Sequence, residues 1–159
     1  MTEQEAIELA RATFITEENT HGCAETALIV LQQAYGLPGA ADSSSAMALN
    51  GGVAWSGGPC GAITGAAMAV GRLSAQRIDD HKEAKRAARA IIARLMSEFR
   101  ARYGHTDCSD LIGLDISTPE GHAAFIEGQV WHTVCIDQIE FVLRRLVALR
   151  DDEVWQSHL

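Results

Sequence analysis

The amino-acid sequence predicts an all-α fold, a single compact multi-helix bundle over residues 1–159 built around a central Gly/Ala-rich helix. Three observations carry that expectation. From Asp80 onward Ala84, Ala88, Ile91, Leu95, Phe99 and Tyr103 recur every three or four residues, as on one face of a long helix, and Gly104 ends the pattern. No segment alternates apolar and polar residues over the length of a strand, and no Asn-Gly or Asp-Gly turn joins two such segments. Finally, Gly57-Gly58-Pro59 leads into a run of small apolar residues reaching Gly71. Within that run Gly61, Gly65 and Ala69, with Ala62 and Ala66, leave a face nearly bare of side chains.

Taken in order, Thr2 and Glu5 form a capping box, and Ala6, Leu9, Ala10, Thr13 and Phe14 make a one-sided stripe, so a first helix runs to about Thr16. Thr20 is the N-cap expected for the second, which holds Cys23 in its first turn and stops at Gly36 and Pro38. A short helix over Ser43 to Leu49 follows. The central helix begins at Pro59, where a missing N–H goes unnoticed. Cys60 then lies in its first turn, where the free N–H groups and helix dipole favour a thiolate. On the outer face of the long helix Lys82, Lys85, Arg86, Arg89, Arg94, Arg100 and Arg102 form a basic strip, read as solvated.

Beyond Cys108, Asp110, Gly113 and Asp115 read as a loop, and Ser117-Thr118-Pro119-Glu120 starts a short helix. The last long helix spans roughly Val130 to Leu149, with Trp131, Cys135, Ile139, Val142, Leu146 and Leu149 on its inner face.

Charge and termini narrow the function. Lys and Arg number 13 against 21 Asp and Glu, a net charge of −8, which disfavours nucleic acid and anionic membrane as partners. The start, Met1-Thr2-Glu3-Gln4-Glu5, lacks the basic and apolar regions of a signal peptide, and no apolar run is long enough to span a bilayer. A cytoplasmic location is therefore expected, in which cysteines serve as reduced thiols, metal ligands or catalytic groups. No Gly-x-Gly-x-x-Gly, Walker, His-Glu-x-x-His or Gly-x-Ser-x-Gly motif is present.

The chemistry therefore rests on Cys23, Cys60, Cys108 and Cys135, which are far apart along the chain and form no Cys-x-x-Cys knuckle. Only the fold can bring them together. His21, His105 and His132 precede three of them closely, and mixed thiolate and imidazole ligation suits zinc or iron.

In the order and surroundings of these cysteines the chain resembles the four-cysteine, cytoplasmic family of redox-active proteins labelled C-GCAxxG-C-C. The residues that carry the likeness are Gly22-Cys23-Ala24, Gly51-Gly52 to Gly58 ahead of Cys60-Gly61-Ala62-Ile63-Thr64-Gly65, Cys108-Ser109-Asp110-Leu111-Ile112-Gly113, and Cys135. Two departures stand out: the central motif reads Cys60-Gly61 rather than Gly-Cys, and after Gly22-Cys23 an alanine, Ala27, occupies the place of the final Gly. The resemblance implies a small helical protein with a redox or metal role.

The sequence reading is that the four cysteines cluster and act in thiol–disulfide exchange, as in a thiol-dependent oxidoreductase, or hold a metal or iron–sulfur centre. Cys60 is the expected nucleophile, with Cys23, Cys108 and Cys135 as its catalytic partners. The same four cysteines with His105 and His132 are the candidate metal ligands, and the bare face at Gly61 and Gly65 is the candidate contact with a cofactor, iron–sulfur or zinc. The alternative is a non-enzymatic zinc-binding or helical interaction module with structural cysteines. A redox partner of unspecified identity is expected, and a homodimer is compatible with the sequence.

Overall fold

In the computed structural model, which describes residues 1–159, helix α1 (Glu3–Phe14) opens at the capping box read from the sequence. The Thr2 hydroxyl accepts from the Glu5 N–H at 3.2 Å, and the Thr2 N–H donates to the Glu5 carboxylate at 2.7 Å. The next helix, α2 (Cys23–Tyr35), is capped differently from the expectation. Its N-cap is Gly22, not Thr20, because the acceptor for its first turn arrives from elsewhere: Asn50 Oδ1 takes the Ala24 N–H at 3.0 Å. A 3₁₀ helix spans Ser44–Leu49.

The central helix α3 (Gly61–Arg77) packs against α2, α4 and α7, as its small-residue composition demands. It begins two residues later than expected, with Cys60 as the N-cap rather than in the first turn. The reason lies outside the helix, where an antiparallel bridge between Pro59 and Asp107 holds this segment extended and the Cys60 N–H donates to the Thr106 carbonyl at 2.9 Å. Helix α4 (His81–Tyr103) matches its reading, with Asp80 as N-cap and Gly104 left-handed at the end. Lys82, Lys85, Arg86, Arg89, Arg94, Arg100 and Arg102 are all exposed on it.

The later elements are more broken than the periodicity suggests. Cys108–Ile112 is a five-residue helix, α5, where a loop was expected, and α6 is Pro119–Glu127 with Thr118 as its cap. The expected helix from Val130 to Leu149 divides into a π-helical turn, Trp131–Cys135, and α7, Ile136–Leu146. Asp151 caps an additional helix, α8 (Asp152–Ser157), whose Trp155 is buried.

The core lies between α1, α2, α3, α4 and α7, with Phe99, Leu28, Leu31, Ile91, Ile139 and Leu146 almost wholly buried. Tyr35 crosses it and donates to the Leu146 carbonyl at 2.9 Å, which satisfies its buried hydroxyl. No strand is present, and no helix is long and apolar enough to cross a membrane.

Candidate functional site

The site is assembled at one end of α2 and α3 by an unusual connection. Gly51, Gly52, Val53, Ala54 and Trp55 all have positive φ, between 50° and 71°, so the chain makes a short left-handed turn. For each non-glycine residue that conformation costs roughly 1–2 kcal/mol. Hydrogen bonds offset part of the strain: Ala54 N–H to Ala48 O at 2.7 Å, Gly57 N–H to Gly51 O at 3.0 Å and Gly58 N–H to Gly52 O at 2.9 Å. The turn has to close tightly, since a Cβ on Gly52 would lie 2.7 Å from the Gly58 carbonyl carbon. Its effect is to set Trp55 on the wall of a cavity.

Immediately after the turn the chain is fastened to the α5 segment. Cys108 N–H donates to Gly58 O at 2.6 Å, and the Ser109 N–H and hydroxyl donate to Gly57 O at 3.1 and 2.9 Å. These bonds hold the Cys60 and Cys108 segments side by side. Cys23, in the first turn of α2, lies with its sulfur over the backbone of Gly61, and Cys135 closes the π-helical turn ahead of α7.

Cys23, Cys108 and Cys135 thus line one cavity of about 220 Å³. Cys60 lies behind it, 5% exposed, and its thiol donates to Gln138 Oε1 at 3.7 Å. All four are free thiols. Beneath Cys23, Asn50 is fixed on both ends of its amide: Oδ1 accepts from Ala24 N–H and faces the Cys23 sulfur at 4.0 Å, while Nδ2 donates to Glu25 at 2.8 Å and to Met47 O at 3.2 Å.

Electrostatics run against the expected thiolate. Burial pushes the Cys60 thiol well up, and charge on Cys23 and Cys108 pushes it further, which outweighs the N–H groups of Ala62 and Ile63. Cys60, expected as an open nucleophile, is instead buried, and there desolvation opposes the helix N-terminus, which lowers a thiol's pKa only where the sulfur is not also desolvated. Burial raises Cys23 and Cys135 too, and Cys108 is pushed up to about 12, by burial first and then by Cys23 and Asp107. Charge on Cys23 opposes ionisation of Cys60, Cys108 and Cys135, as it does where thiols lie near one another.

The remaining candidates lie apart. His105 is exposed and faces Asp110, its Nδ1 3.9 Å from the carboxylate. His132 stacks edge-on with Trp131 and lines a neighbouring cavity that contains no cysteine. Neither joins the thiols, and no three His, Cys, Asp or Glu side chains converge as a metal site. The bare face at Gly61 and Gly65 meets α2: a Cβ on Gly61 would lie 3.0 Å from Ala24 N, and one on Gly65 would lie 2.9 Å from the Ala24 carbonyl carbon.

Residues 21–149 match the family described as "Putative redox-active protein (C_GCAxxG_C_C)". The chain belongs to this family. No curated protein and no solved structure matches it. In this C_GCAxxG_C_C protein the matched span takes in all four cysteines together with Asn50, Glu25, Trp55 and Gln138, which the sequence reading missed. Nothing local marks them, because Asn50 acts on a helix start 26 positions away and Gln138 on a cysteine 78 positions away.

The raised thiols make stability depend on pH in one direction. Above about pH 8.5 the unfolded chain releases thiol protons that the folded chain still holds. The contribution is complete below that pH and is lost as pH climbs towards about 12, the value for Cys108. Buried Tyr35 and half-buried Tyr103, both raised, act in the same sense above pH 10. The urea midpoint of the reduced family member is therefore expected to fall steadily from pH 8 to pH 11, and a midpoint that rose over this interval would contradict the burial of the thiols.

Proposed function

We propose that the protein works by thiol–disulfide exchange, passing two electrons from a pair of its cysteines to a disulfide that enters the cavity. The observation that carries this reading is the gathering of Cys23, Cys108 and Cys135 around a single cavity, with Cys60 held behind them. Cys108 is the least enclosed of the four and is the attacking sulfur in this reading. As thiolate it bonds to one sulfur of the substrate disulfide, the substrate's S–S bond breaks, and the departing thiolate takes up the proton Cys108 released. Cys23 or Cys135 then attacks the mixed disulfide. The products are a protein disulfide and two substrate thiols, which carry the two thiol protons.

The raised pKa values set the pace. With Cys108 raised by its burial, its thiolate at pH 7 is scarcer than that of free cysteine, and the greater nucleophilicity of the more basic sulfur recovers a little under half of that on a logarithmic scale. Attack on a disulfide in bulk water is therefore slower than by free cysteine. Such a site resists casual oxidation and responds to whatever is held in the cavity.

The test is to titrate fully reduced protein with 2-hydroxyethyl disulfide, count free thiols and map the bridge by mass. Two thiols lost per chain, joined within the protein, is the expected result. Cys60→Ser should still form the bridge and Cys108→Ser should lose it, while iodoacetamide should label Cys108 well before Cys60. Stoichiometric zinc, or iron with inorganic sulfide, held by these cysteines in purified protein would overturn the reading, as would thiols that react only in denaturant.

A further inference from the structure

The cavity contains a buried carboxylate with no cation to match it. Glu25 is 6% exposed and lines the cavity, and its oxygens accept only from neutral donors: Gly22 N–H at 3.1 Å, Asn50 Nδ2 at 2.8 Å and Ser43 Oγ at 3.1 Å. No lysine or arginine lines the cavity, and His21 is its one side chain able to take a positive charge. Buried carboxylates are normally paired as well as hydrogen-bonded.

Another part of the wall is aromatic. Trp55, Phe125 and Trp131 follow one another with ring centroids 6.3 and 6.0 Å apart and planes at 80° and 41°. Rings at such angles line a hollow instead of forming a flat stack, and aromatic walls beside a carboxylate are how proteins hold alkylammonium groups. Trp55 is kept there by the strained left-handed turn, and strain of that kind concentrates at binding sites. With about 220 Å³ available, the ligand is smaller than the drug-sized molecules that need 300 Å³ or more.

We propose that the cavity selects disulfides of small aminothiols, whose ammonium group is seated between Glu25 and the aromatic wall with the disulfide against the cysteines. The inference rests on the thiol-exchange reading and names its substrate class. The exchange balances as before: two protein thiols are oxidised to one disulfide, one aminothiol disulfide is reduced to two aminothiols, and the two protons pass to them. An ammonium held beside the sulfurs also favours the thiolate that attacks. The substrate thereby raises the reactivity of a site that is sluggish without it.

The experiment compares thiol release by reduced full-length protein from cystamine, 2-hydroxyethyl disulfide and dithiodiglycolate, each rate divided by that of free 2-mercaptoethanol with the same disulfide. Cystamine should exceed the neutral compound about tenfold, and dithiodiglycolate should be slowest. The preference should survive 0.5 M NaCl, which screens the net charge of −8. Glu25→Gln should reduce the ratio of cystamine to neutral rate. Should that variant fail to fold, Trp55→Leu, which leaves the charge unchanged, should lower the same ratio severalfold. If no disulfide reacts, the exchange reading itself fails. If all three react at equal corrected rates, or the preference vanishes in salt, or neither variant moves the ratio, exchange stands and the selection is refuted.

Discussion

Gly65→Ala is expected to destabilise the protein by about 3 kcal/mol or more, a large part of a typical domain's 5–15 kcal/mol. The added Cβ would stand 2.9 Å from the carbonyl carbon and 3.0 Å from the Cα of Ala24. Both atoms are backbone, so no side chain can swing aside, and relief comes only by prising α2 from α3. Alanine's better helix propensity returns roughly 0.5–1 kcal/mol, too little to compensate. Gly71, on the same helix, supplies the control: a Cβ there has nothing within 4 Å. Gly71→Ala should therefore raise stability by about 0.5–1 kcal/mol. Thermal unfolding of the two variants beside the parent measures both effects, and an unchanged midpoint for Gly65→Ala would mean the two helices are not in backbone contact.

The second large effect is expected from Asn50→Ala, at about 2–3 kcal/mol. Asn50 caps α2 through Ala24 N–H and donates to the buried Glu25 carboxylate. Removal leaves an unpaired N–H at a helix start and strips one of three donors from a buried charge, and the two losses reinforce each other. The sulfur of Cys23 also loses its acceptor, Asn50 Oδ1 at 4.0 Å. A structural cap alone would change only the urea midpoint. If Asn50 also holds Cys23 as a thiol, the pH at which Cys23 is half-labelled by iodoacetamide in folded protein should fall as well. Labelling that stays unchanged while stability drops would reduce Asn50 to a cap.

Much of the bundle was legible because its signals are local. The stripe from Ala84 to Tyr103, the Thr2–Glu5 box, the Asp80 and Thr118 caps and the left-handed Gly36 and Gly104 each act within four or five residues. Where the reading went astray, a distant segment had intervened. Cys60 became a cap because Thr106 and Asp107 pair with its strand-like approach, and the final helix opened with a π turn where Trp131 and Cys135 meet the cavity. The Asn50-Gly51 pair, ordinarily a turn signal, begins a left-handed turn that continues through three non-glycine residues.

The sequence by itself determined the helical class, the central place of the glycine- and alanine-rich helix, and the four-cysteine pattern that marks the family. Each follows from spacing and residue type, which short-range sterics and hydrophobic periodicity translate directly into local structure. Tertiary structure decided which thiols face a cavity and which is sealed away, that Gly61 and Gly65 lie against the backbone of α2, and that burial opposes ionisation of the thiols. Those outcomes depend on desolvation and on charges brought together from positions up to 112 residues apart, Cys23 and Cys135. Burial is a property of the packed whole, and at Cys60 it overrides the helix dipole that the local sequence supplies.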